Sequence, residues 1–194
     1  MDDVIRIPPV RMNNTGNVTK ISDSLRECIL CNILYEDNAL LIFNKPSGLA
    51  VHGGSGVSLG VIEAFRQVRK PDTFLELAHR IDRDTSGCLI IAKNRAALSS
   101  IGEALQSNQV RKNYMALVKG KWPKGMSQVN APLKKNQMLS GERIVKVDPS
   151  GKRSVTNFNI IKKFQNTTLL DISLETGRTH QIRVHCQYSG MPIV

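Results

Sequence analysis

The chain has 194 residues, 41% of them hydrophobic and 22% charged, with a formal net charge of +11. This length and composition are those of one soluble globular domain with a sizeable core. No apolar run approaches the roughly 20 residues that span a bilayer. The polar N-terminus lacks the basic start and apolar centre of a signal peptide. We therefore expect a cytoplasmic monomer with no membrane partner.

The positive charge is concentrated in the second half of the chain. Between Arg111 and Lys163 there are thirteen Lys and Arg residues against two acidic residues, Glu142 and Asp148. Such an excess of positive charge attracts polyanions, so nucleic acid is the leading candidate partner. Because only 5% of the residues are aromatic, a stacking platform for long single strands is disfavoured, and a structured RNA fits better. The alternative is a surface that is basic for solubility alone.

Residues 1–30 are predicted to be an N-terminal tail or linker, and residues 31–194 the folded domain. Residues 1–24 are polar, contain turn pairs such as Pro8-Pro9 and show no sustained hydrophobic period.

The cysteines do not predict a metal site. Cys28 and Cys31 form a lone C-x-x-C pair without the further ligands that a structural zinc needs. We expect no metal site and reduced thiols.

The folded part begins with a predicted β-hairpin. Residues 32–36 and 40–44 are β-compatible runs on either side of the turn pair Asp37-Asn38. The second run ends in a turn at residues 45–48 (KPSG), which puts Lys45 at a strand end. Lys45 is then either a buttress or phosphate contact near the next loop, or a solvated turn lysine.

Two helices are predicted next in the chain. Ser58 is the predicted N-cap of the first, which runs to about Arg69. The second covers residues 95–106, where Leu98, Ile101 and Leu105 share one face.

A charged loop lies between these helices. Residues 74–78 alternate as a half-buried strand does, and residues 88–92 are a short apolar run typical of a sheet interior. The intervening residues 79–87 (HRIDRDTSG) are rich in turn formers, so we expect a tight, ordered loop. Rigid strands that lead into such a loop are a common position for catalytic groups.

The second half of the chain is predicted to be mainly strands. A strand over residues 111–119 carries Tyr114. Four further strand-like runs follow at residues 129–133, 143–147, 154–161 and 167–173, with turns at Ser140-Gly141, 148–151 and 165–166. Consecutive hairpins form an antiparallel sheet. Thr179 is the predicted cap of a last helix over residues 180–187, with Arg183 on its second turn. The expected fold class is α+β, with a mixed, mainly antiparallel sheet flanked by a few helices.

Four segments in this order point to a known family. They are residues 44–52 (NKPSGLAVH), 79–87 (HRIDRDTSG), 112–120 (KNYMALVKG) and 177–185 (GRTHQIRVH). They resemble the motifs of the RluA family of pseudouridine synthases, and the similarity covers roughly residues 33–194. Residues 52–56 and 139–143 resemble the members of the family that act on large-subunit ribosomal RNA.

The resemblance implies a pseudouridine synthase fold and the isomerisation of uridine to pseudouridine in 23S-type ribosomal RNA. The reaction has no net redox change or hydrolysis, so no cofactor is expected. In the family's pattern Asp82 is the nucleophile and Arg183 its partner. Tyr114 stacks on the uracil, and Arg80 suits the place left by the flipped base or a flanking phosphate.

Four residues of the basic second half are predicted to contact RNA phosphates: Lys112, Lys134, Lys135 and Arg143. In the family a small RNA-binding domain often precedes the catalytic domain, and the last motif runs on into further strands. We therefore expect the catalytic domain at residues 31–194 to be truncated at its C-terminus.

Several alternatives stay open at this point. Asp82 or Asp84 could cap a turn, Tyr114 could be an ordinary strand aromatic, and Arg183 could be a surface residue. Only the family's pattern selects Asp82 over Asp84, since alternation turns both to one side. Two other functions fit the residues: a glycosidase acting on nucleosides, with Asp84 as second carboxylate, and a catalytically silent RNA-binding or ribosome-assembly protein.

Overall fold

A computed structural model of the chain describes residues 20–54, 59–70, 73–137 and 143–194. The chain divides into two compact units, residues 1–98 and residues 99–194. The division lies inside the range 31–194 that the sequence assigns to one domain. No helix within the described ranges is long and apolar enough to cross a membrane.

The first unit is a four-stranded antiparallel sheet with helices. Its elements are α1 (Asp23–Cys31), β1 (Ile33–Glu36), β2 (Leu40–Lys45), α2 (Val61–Val68), β3 (Glu76–Leu77) and β4 (Gly87–Ala92). The strand order is β1-β2-β4-β3. The core includes Leu41, Phe43 and Leu89, and the rings of Phe43 and Phe65 meet edge to face at 5.3 Å. The predicted hairpin at β1 and β2 is confirmed.

Helix α1 lies mostly within the range 1–30 that the sequence assigns to a tail or linker. The Ser22 hydroxyl accepts a hydrogen bond from the Leu25 amide and caps the helix. Ile29 is fully buried, and Ile21 and Leu25 pack against the same core. Leu25 and Ile29 are four positions apart and so fall on one face of the helix, and Ile21 packs against the same core just before the N-cap. Packing of that face explains why this polar segment is helical.

The second unit contains a second antiparallel sheet. Its strands are β5 (Asn113–Lys119), β6 (Gln128–Asn130), β7 (Leu133–Gln137), β8 (Arg143–Val147), β9 (Val155–Lys163) and β10 (Thr167–Leu174). Helix α3 (Arg95–Gln106) crosses the division between the units, and α4 (Gln181–Tyr188) lies in the second. The sheet order is β5-β10-β9-β6, and β7 pairs with β8 in a separate two-stranded sheet.

The core of the second unit is built around Trp122, whose ring lies 4.6 Å from that of Phe158. Leu170, Ile172 and Cys186 are fully buried beside them. Burial raises the pKa of the Cys186 thiol to about 12, so this cysteine stays protonated at neutral pH.

The predicted α+β class is confirmed, and every strand pair among the described residues is antiparallel. The predicted strand over residues 129–133 is wrong as one element: it is divided between β6 and β7 at Ala131 and Pro132. Proline has no amide hydrogen to continue a ladder. The predicted turn at Ser140-Gly141 and the predicted cap Ser58 lie outside the described residues.

The start of α4 also differs from the prediction. The residue before the helix is His180 rather than Thr179, and its backbone is left-handed with φ of 53°. Arg183 is therefore the third helical residue and lies in the first turn, not the second. A non-glycine residue with positive φ is uncommon and is retained where surrounding contacts over-determine it.

Candidate active site

The charged loop, residues 79–87, is an ordered turn in the first unit. The Thr85 amide donates to the Asp82 carbonyl at 3.1 Å, and Gly87 has a φ of 121° that favours glycine. Asp82 is half-buried, whereas Asp84 and Arg80 are exposed. The loop thus holds the Asp82 carboxyl group at the border between the protein interior and solvent.

The turn that follows β2 is hydrogen-bonded to the charged loop. The Gly48 amide donates to the Arg83 carbonyl at 3.0 Å, and the Arg83 Nε donates back to the Gly48 carbonyl at 3.0 Å. The Ser47 hydroxyl donates to the Asp84 carbonyl at 2.8 Å. These bonds fix the backbone on the C-terminal side of Asp82.

Lys45 is the buried centre of this arrangement. Its Nζ donates to the carbonyl oxygens of Pro46, Leu49 and Arg83 at 2.8, 2.9 and 2.8 Å. A lysine ammonium has three hydrogens, so all three are used by backbone carbonyls. The solvated interpretation of Lys45 is therefore wrong, and no N–H is left for a phosphate. The contacts are those of a buttress.

Burial lowers the pKa of Lys45, and the negative charges of Asp84 and Asp82 oppose that shift. The two carboxylates thus favour the charged form of Lys45. The sequence offers Lys45 only as one of two alternatives, a buttress or phosphate contact or a solvated lysine, and does not include it among the predicted site residues. The signal for it is the alternation along β2, because Leu41, Phe43 and Lys45 all point to the core and are fully buried.

Tyr114 lies on β5 in the second unit. Its ring is half-buried and packs against the core beside Val118, on the same face of the strand. Tyr114 lies opposite Ile172 of β10. Lys112 directly precedes β5 and is half-buried, and its carbonyl accepts a hydrogen bond from the Leu174 amide.

The first turn of α4 is held by a buried glutamine that the sequence analysis missed. The Gln181 side-chain oxygen accepts from the Thr176 hydroxyl at 2.8 Å and from the Arg178 amide at 3.0 Å. Its side-chain nitrogen donates to the Val155 carbonyl and to the Thr156 hydroxyl oxygen. Both lone pairs and both hydrogens of this amide are thereby used. These bonds fix the backbone just before Arg183, whose own side chain is exposed.

His185, one turn further along α4, extends the same network. Its Nδ1 lies 2.8 Å from the Thr156 hydroxyl and its Nε2 lies 3.0 Å from the Ala131 carbonyl. Because a carbonyl only accepts, Nε2 carries the proton and Nδ1 accepts from the hydroxyl. Burial lowers the pKa of His185, and the bond to Ala131 partly opposes the shift. The imidazole is therefore neutral near pH 7.

The predicted RNA-contact residues of the second unit lie mainly on the β7–β8 hairpin. Lys134 and Lys135 are exposed, and Lys134 lies directly opposite Lys146 across the two strands. Like charges in such a pair are destabilising unless a counter-charge is present. Lys134 also donates to the Ser150 hydroxyl at 2.8 Å. Arg143 is the first residue of β8, and its side chain lies outside the described part of the structure.

The predicted site residues are thus divided between the two units. Arg80 and Asp82 lie on the charged loop of the first unit, and Tyr114 and Arg183 lie on β5 and α4 of the second. The pairing of Arg183 with Asp82 stays a prediction. The described residues contain no cluster of three or more His, Cys, Asp or Glu side chains that could hold a metal ion.

Comparisons with known proteins bear on these residues. A family described as "RNA pseudouridylate synthase" matches residues 39–188. The chain is 53% identical to "Ribosomal large subunit pseudouridine synthase C" of Haemophilus ducreyi, over 99% of this chain and 60% of that protein. It is 50% identical to the Escherichia coli protein of the same name, over 98% of this chain and 60% of the relative. The chain therefore spans less than two thirds of the length of these curated relatives.

Two solved structures have a similar fold. "Human RNA Pseudouridylate Synthase Domain Containing 4" superposes with a TM-score of 0.72 at 25% identity, over 88% of this chain and 69% of that one. "Human RNA Pseudouridylate Synthase Domain Containing 1" superposes with a TM-score of 0.69 at 26% identity, over 84% of this chain and 66% of that one.

Proposed function

Because the chain belongs to the RNA pseudouridylate synthase family, we propose that it isomerises specific uridines to pseudouridine in large-subunit, 23S-type ribosomal RNA, with Asp82 as the nucleophile. The substrate class is inferred from the relatives, which are named as large-subunit ribosomal pseudouridine synthases. The observation that carries the catalytic assignment is the half-buried Asp82 on a loop that a buried ammonium holds in place.

The isomerisation requires one carboxylate and no external reactant. The bond between ribose C1′ and uracil N1 breaks, the base turns, and a bond forms between C1′ and C5. N1 gains a proton and C5 loses one, so the product is an isomer of the substrate and nothing is oxidised or reduced. A carboxylate can act as nucleophile on C1′ or as base on the neighbouring ribose carbon.

Asp82 must be ionised in a site that excludes water, which burial alone would oppose. The Lys45 ammonium is one source of compensation, because its charge interacts with those of Asp82 and Asp84. Lys45 also bonds the Arg83 carbonyl, directly after Asp82. The residue therefore supports the carboxylate through its charge and through the backbone, without touching the substrate.

The other site residues take the roles that the family's pattern gives them. Tyr114 stacks on the uracil, Arg183 binds the substrate beside the reacting carboxylate, and Arg80 occupies the space of the flipped nucleotide or holds a flanking phosphate. The exposure of Arg80 and Arg183 and the partial exposure of Tyr114 leave all three side chains accessible to RNA.

The basic residues of the second unit supply affinity rather than chemistry. Lys134 and Lys135 are exposed on the β7–β8 hairpin, where the Lys134–Lys146 pair places two positive charges face to face. A phosphate between them would relieve that repulsion. Together with Lys112 and Arg143, these residues would bind the RNA backbone, which carries little sequence information.

The test is incubation of the full chain with an unmodified large-subunit ribosomal RNA transcript that contains uridine tritiated at C5. Release of tritium to water, together with pseudouridine found by nucleoside chromatography, is the expected result. Release of free uracil would instead indicate a glycosidase. RNA binding with neither product would indicate a catalytically silent RNA-binding protein, and each of these two outcomes would overturn the proposal.

A further inference from the structure

The chain leaves strand β3 for the charged loop at Ala78 and His79. In the antiparallel pairing of β3 with β4, Leu77 lies opposite Ile91. The next pair in that register is Ala78 and Ile90. A regular antiparallel ladder would join such a pair by two bonds, one in each direction.

One of these two bonds is made by backbone groups and the other by an imidazole. The Ala78 amide donates to the Ile90 carbonyl at 3.0 Å. The Ile90 amide donates to Nε2 of His79 at 3.1 Å. The imidazole thus takes the place of the Ala78 carbonyl as the acceptor. The backbone can turn away from the sheet here without leaving the Ile90 amide of the central strand unsatisfied.

This contact requires a neutral imidazole, because only an unprotonated ring nitrogen accepts a hydrogen bond. Burial lowers the pKa of His79 from its ordinary value of 6.5, and a hydrogen bond to the Arg80 backbone opposes the shift. His79 is therefore bonded to strand β4 at the first residue of the charged loop, three residues before Asp82.

We propose that His79 is a positioning residue for Asp82: its neutral imidazole sets the point and direction in which the charged loop leaves the sheet. Lys45 fixes the backbone after Asp82, and His79 fixes the backbone before it. The carboxylate is thereby held from both sides. This inference rests on the proposed function, since it concerns the nucleophile of that reaction.

Lowering the pH should break the hydrogen bond between the Ile90 amide and Nε2 of His79. Protonation turns Nε2 into a donor that faces the Ile90 amide, so the bond is replaced by a repulsive contact. The ionisable side chains on the adjoining segments are Glu76 on β3, Cys88 on β4, and Arg80 and Asp82 in the loop. Glu76 is bonded to Arg66 at 2.7 Å. A variant that cannot be protonated at position 79 separates the histidine from these groups.

Two substitutions of His79 test the inference. His79→Gln keeps an acceptor oxygen near the position of Nε2 but cannot be protonated, whereas His79→Leu fills similar space without an acceptor. At pH 7.5 we expect His79→Gln to keep kcat within about threefold and His79→Leu to lose on the order of 10- to 100-fold, the effect of a slightly misplaced catalytic group. KM for RNA should stay unchanged in both.

The pH dependence of kcat distinguishes a positioning role of His79 from a merely structural one. Wild-type kcat should fall as the pH drops through the lowered pKa of His79, which lies below the ordinary value of 6.5, and His79→Gln should lack that fall or show it at lower pH. His52→Gln is the matched control: His52 is half-buried in the same unit and its Nδ1 lies beside the Gly53 carbonyl. It should keep the wild-type profile.

The outcomes separate this inference from the proposed function. A wild-type chain that forms no pseudouridine overturns the function itself. An active wild type with a fully active His79→Leu, or with His79→Gln as inactive as His79→Leu, overturns the positioning role. So does an acid fall that is identical in wild type and His79→Gln. If His79→Leu does not fold, the His79→Gln profile alone decides.

Discussion

The Lys45 ammonium donates a 2.8 Å hydrogen bond to the backbone carbonyl of Arg83, 38 positions further along the chain. Through this bond the end of β2 holds the loop that carries Asp82. The same nitrogen also satisfies the carbonyls of Pro46 and Leu49. Removal of the ammonium would take this donor from the carbonyls of Pro46 and Leu49, whereas the Arg83 carbonyl would keep its bond from the Gly48 amide.

Lys45→Met is therefore expected to destabilise the protein by at least about 2 kcal/mol, since each buried unsatisfied group costs about 1 to 3 kcal/mol. Activity should fall as well, because the loop loses its support. Urea unfolding followed by circular dichroism measures the first effect. The matched control is Lys93→Met, which removes a partly exposed ion pair with Glu36 and one bond to the Asp37 carbonyl, and it should cost less than Lys45→Met. Equal losses in the two variants would contradict the buttress.

Lys45 shows what the hydrophobic periodicity of a strand can predict and what it cannot. Strand β2 was predicted correctly from its apolar residues, and alternation does place residue 45 on the core face with Leu41 and Phe43. A hydrophobic pattern nevertheless excludes lysine from a core, because a buried charge is costly unless it is paired. The carbonyls that offset the cost of this burial come from a turn and a distant loop, which no local pattern can reveal.

Arg183→Ala is expected to reduce pseudouridine formation at least about 100-fold while leaving stability nearly unchanged, because the side chain is exposed. Arg183→Lys should recover little, since lysine lacks the planar fork of the guanidinium. Tritium release and urea unfolding are the two measurements. The control is Arg153→Ala, an exposed arginine of the same unit that makes a 3.5 Å ion pair with Glu175. Full activity of Arg183→Ala would exclude its role in the site.

The helix that carries Arg183 was predicted, but its cap was not. Threonine is a residue type that is preferred at helix N-caps, which favours Thr179. In the structure the helix begins after His180, whose backbone is left-handed. The start of the helix is held by the four contacts of Gln181 with Thr176, Arg178, Val155 and Thr156. These partners are up to 26 residues away in the chain, so capping statistics could not find them.

RNA affinity is expected to fall steeply with salt, because phosphate contacts release bound counterions. Replacing both Lys134 and Lys135 with Gln should reduce the slope of log affinity against log salt by roughly 0.7 to 0.9 for each phosphate that is no longer neutralised. Filter binding over a salt series measures this. Lys20→Gln, an exposed lysine of the first unit, is the control and should leave the slope unchanged. A flat salt dependence in the wild type would contradict the phosphate interface.

The free energy of unfolding is expected to decrease as the pH falls below about 6.5. Burial is the main cause that lowers the pKa of both His79 and His185 from the ordinary value of 6.5. The unfolded chain therefore binds more protons than the folded chain between the lowered and ordinary pKa values, so stability is complete above that window and is lost below it. Urea unfolding at pH 7.5, 6.5 and 5.5 measures the trend, and His79→Gln should show a smaller decrease. Rising stability towards acid would contradict neutral, buried histidines.

The choice between Asp82 and Asp84 could be made from the sequence only through the family's pattern. The two residues differ in the structure, since Asp82 is half-buried and Asp84 is exposed. Both charges nevertheless act on Lys45. Electrostatics alone therefore does not separate them, and a direct comparison of the two carboxylates is needed.

That comparison is the most direct test of the account: pseudouridine formation in ribosomal RNA by Asp82→Asn and Asp84→Asn, each measured beside its RNA affinity. The amide of asparagine keeps the shape of the carboxylate and removes the nucleophile. We predict that Asp82→Asn binds RNA with nearly wild-type affinity and forms no pseudouridine, whereas Asp84→Asn keeps measurable activity. Pseudouridine formed by Asp82→Asn and absent with Asp84→Asn would contradict the assignment of Asp82 as the nucleophile.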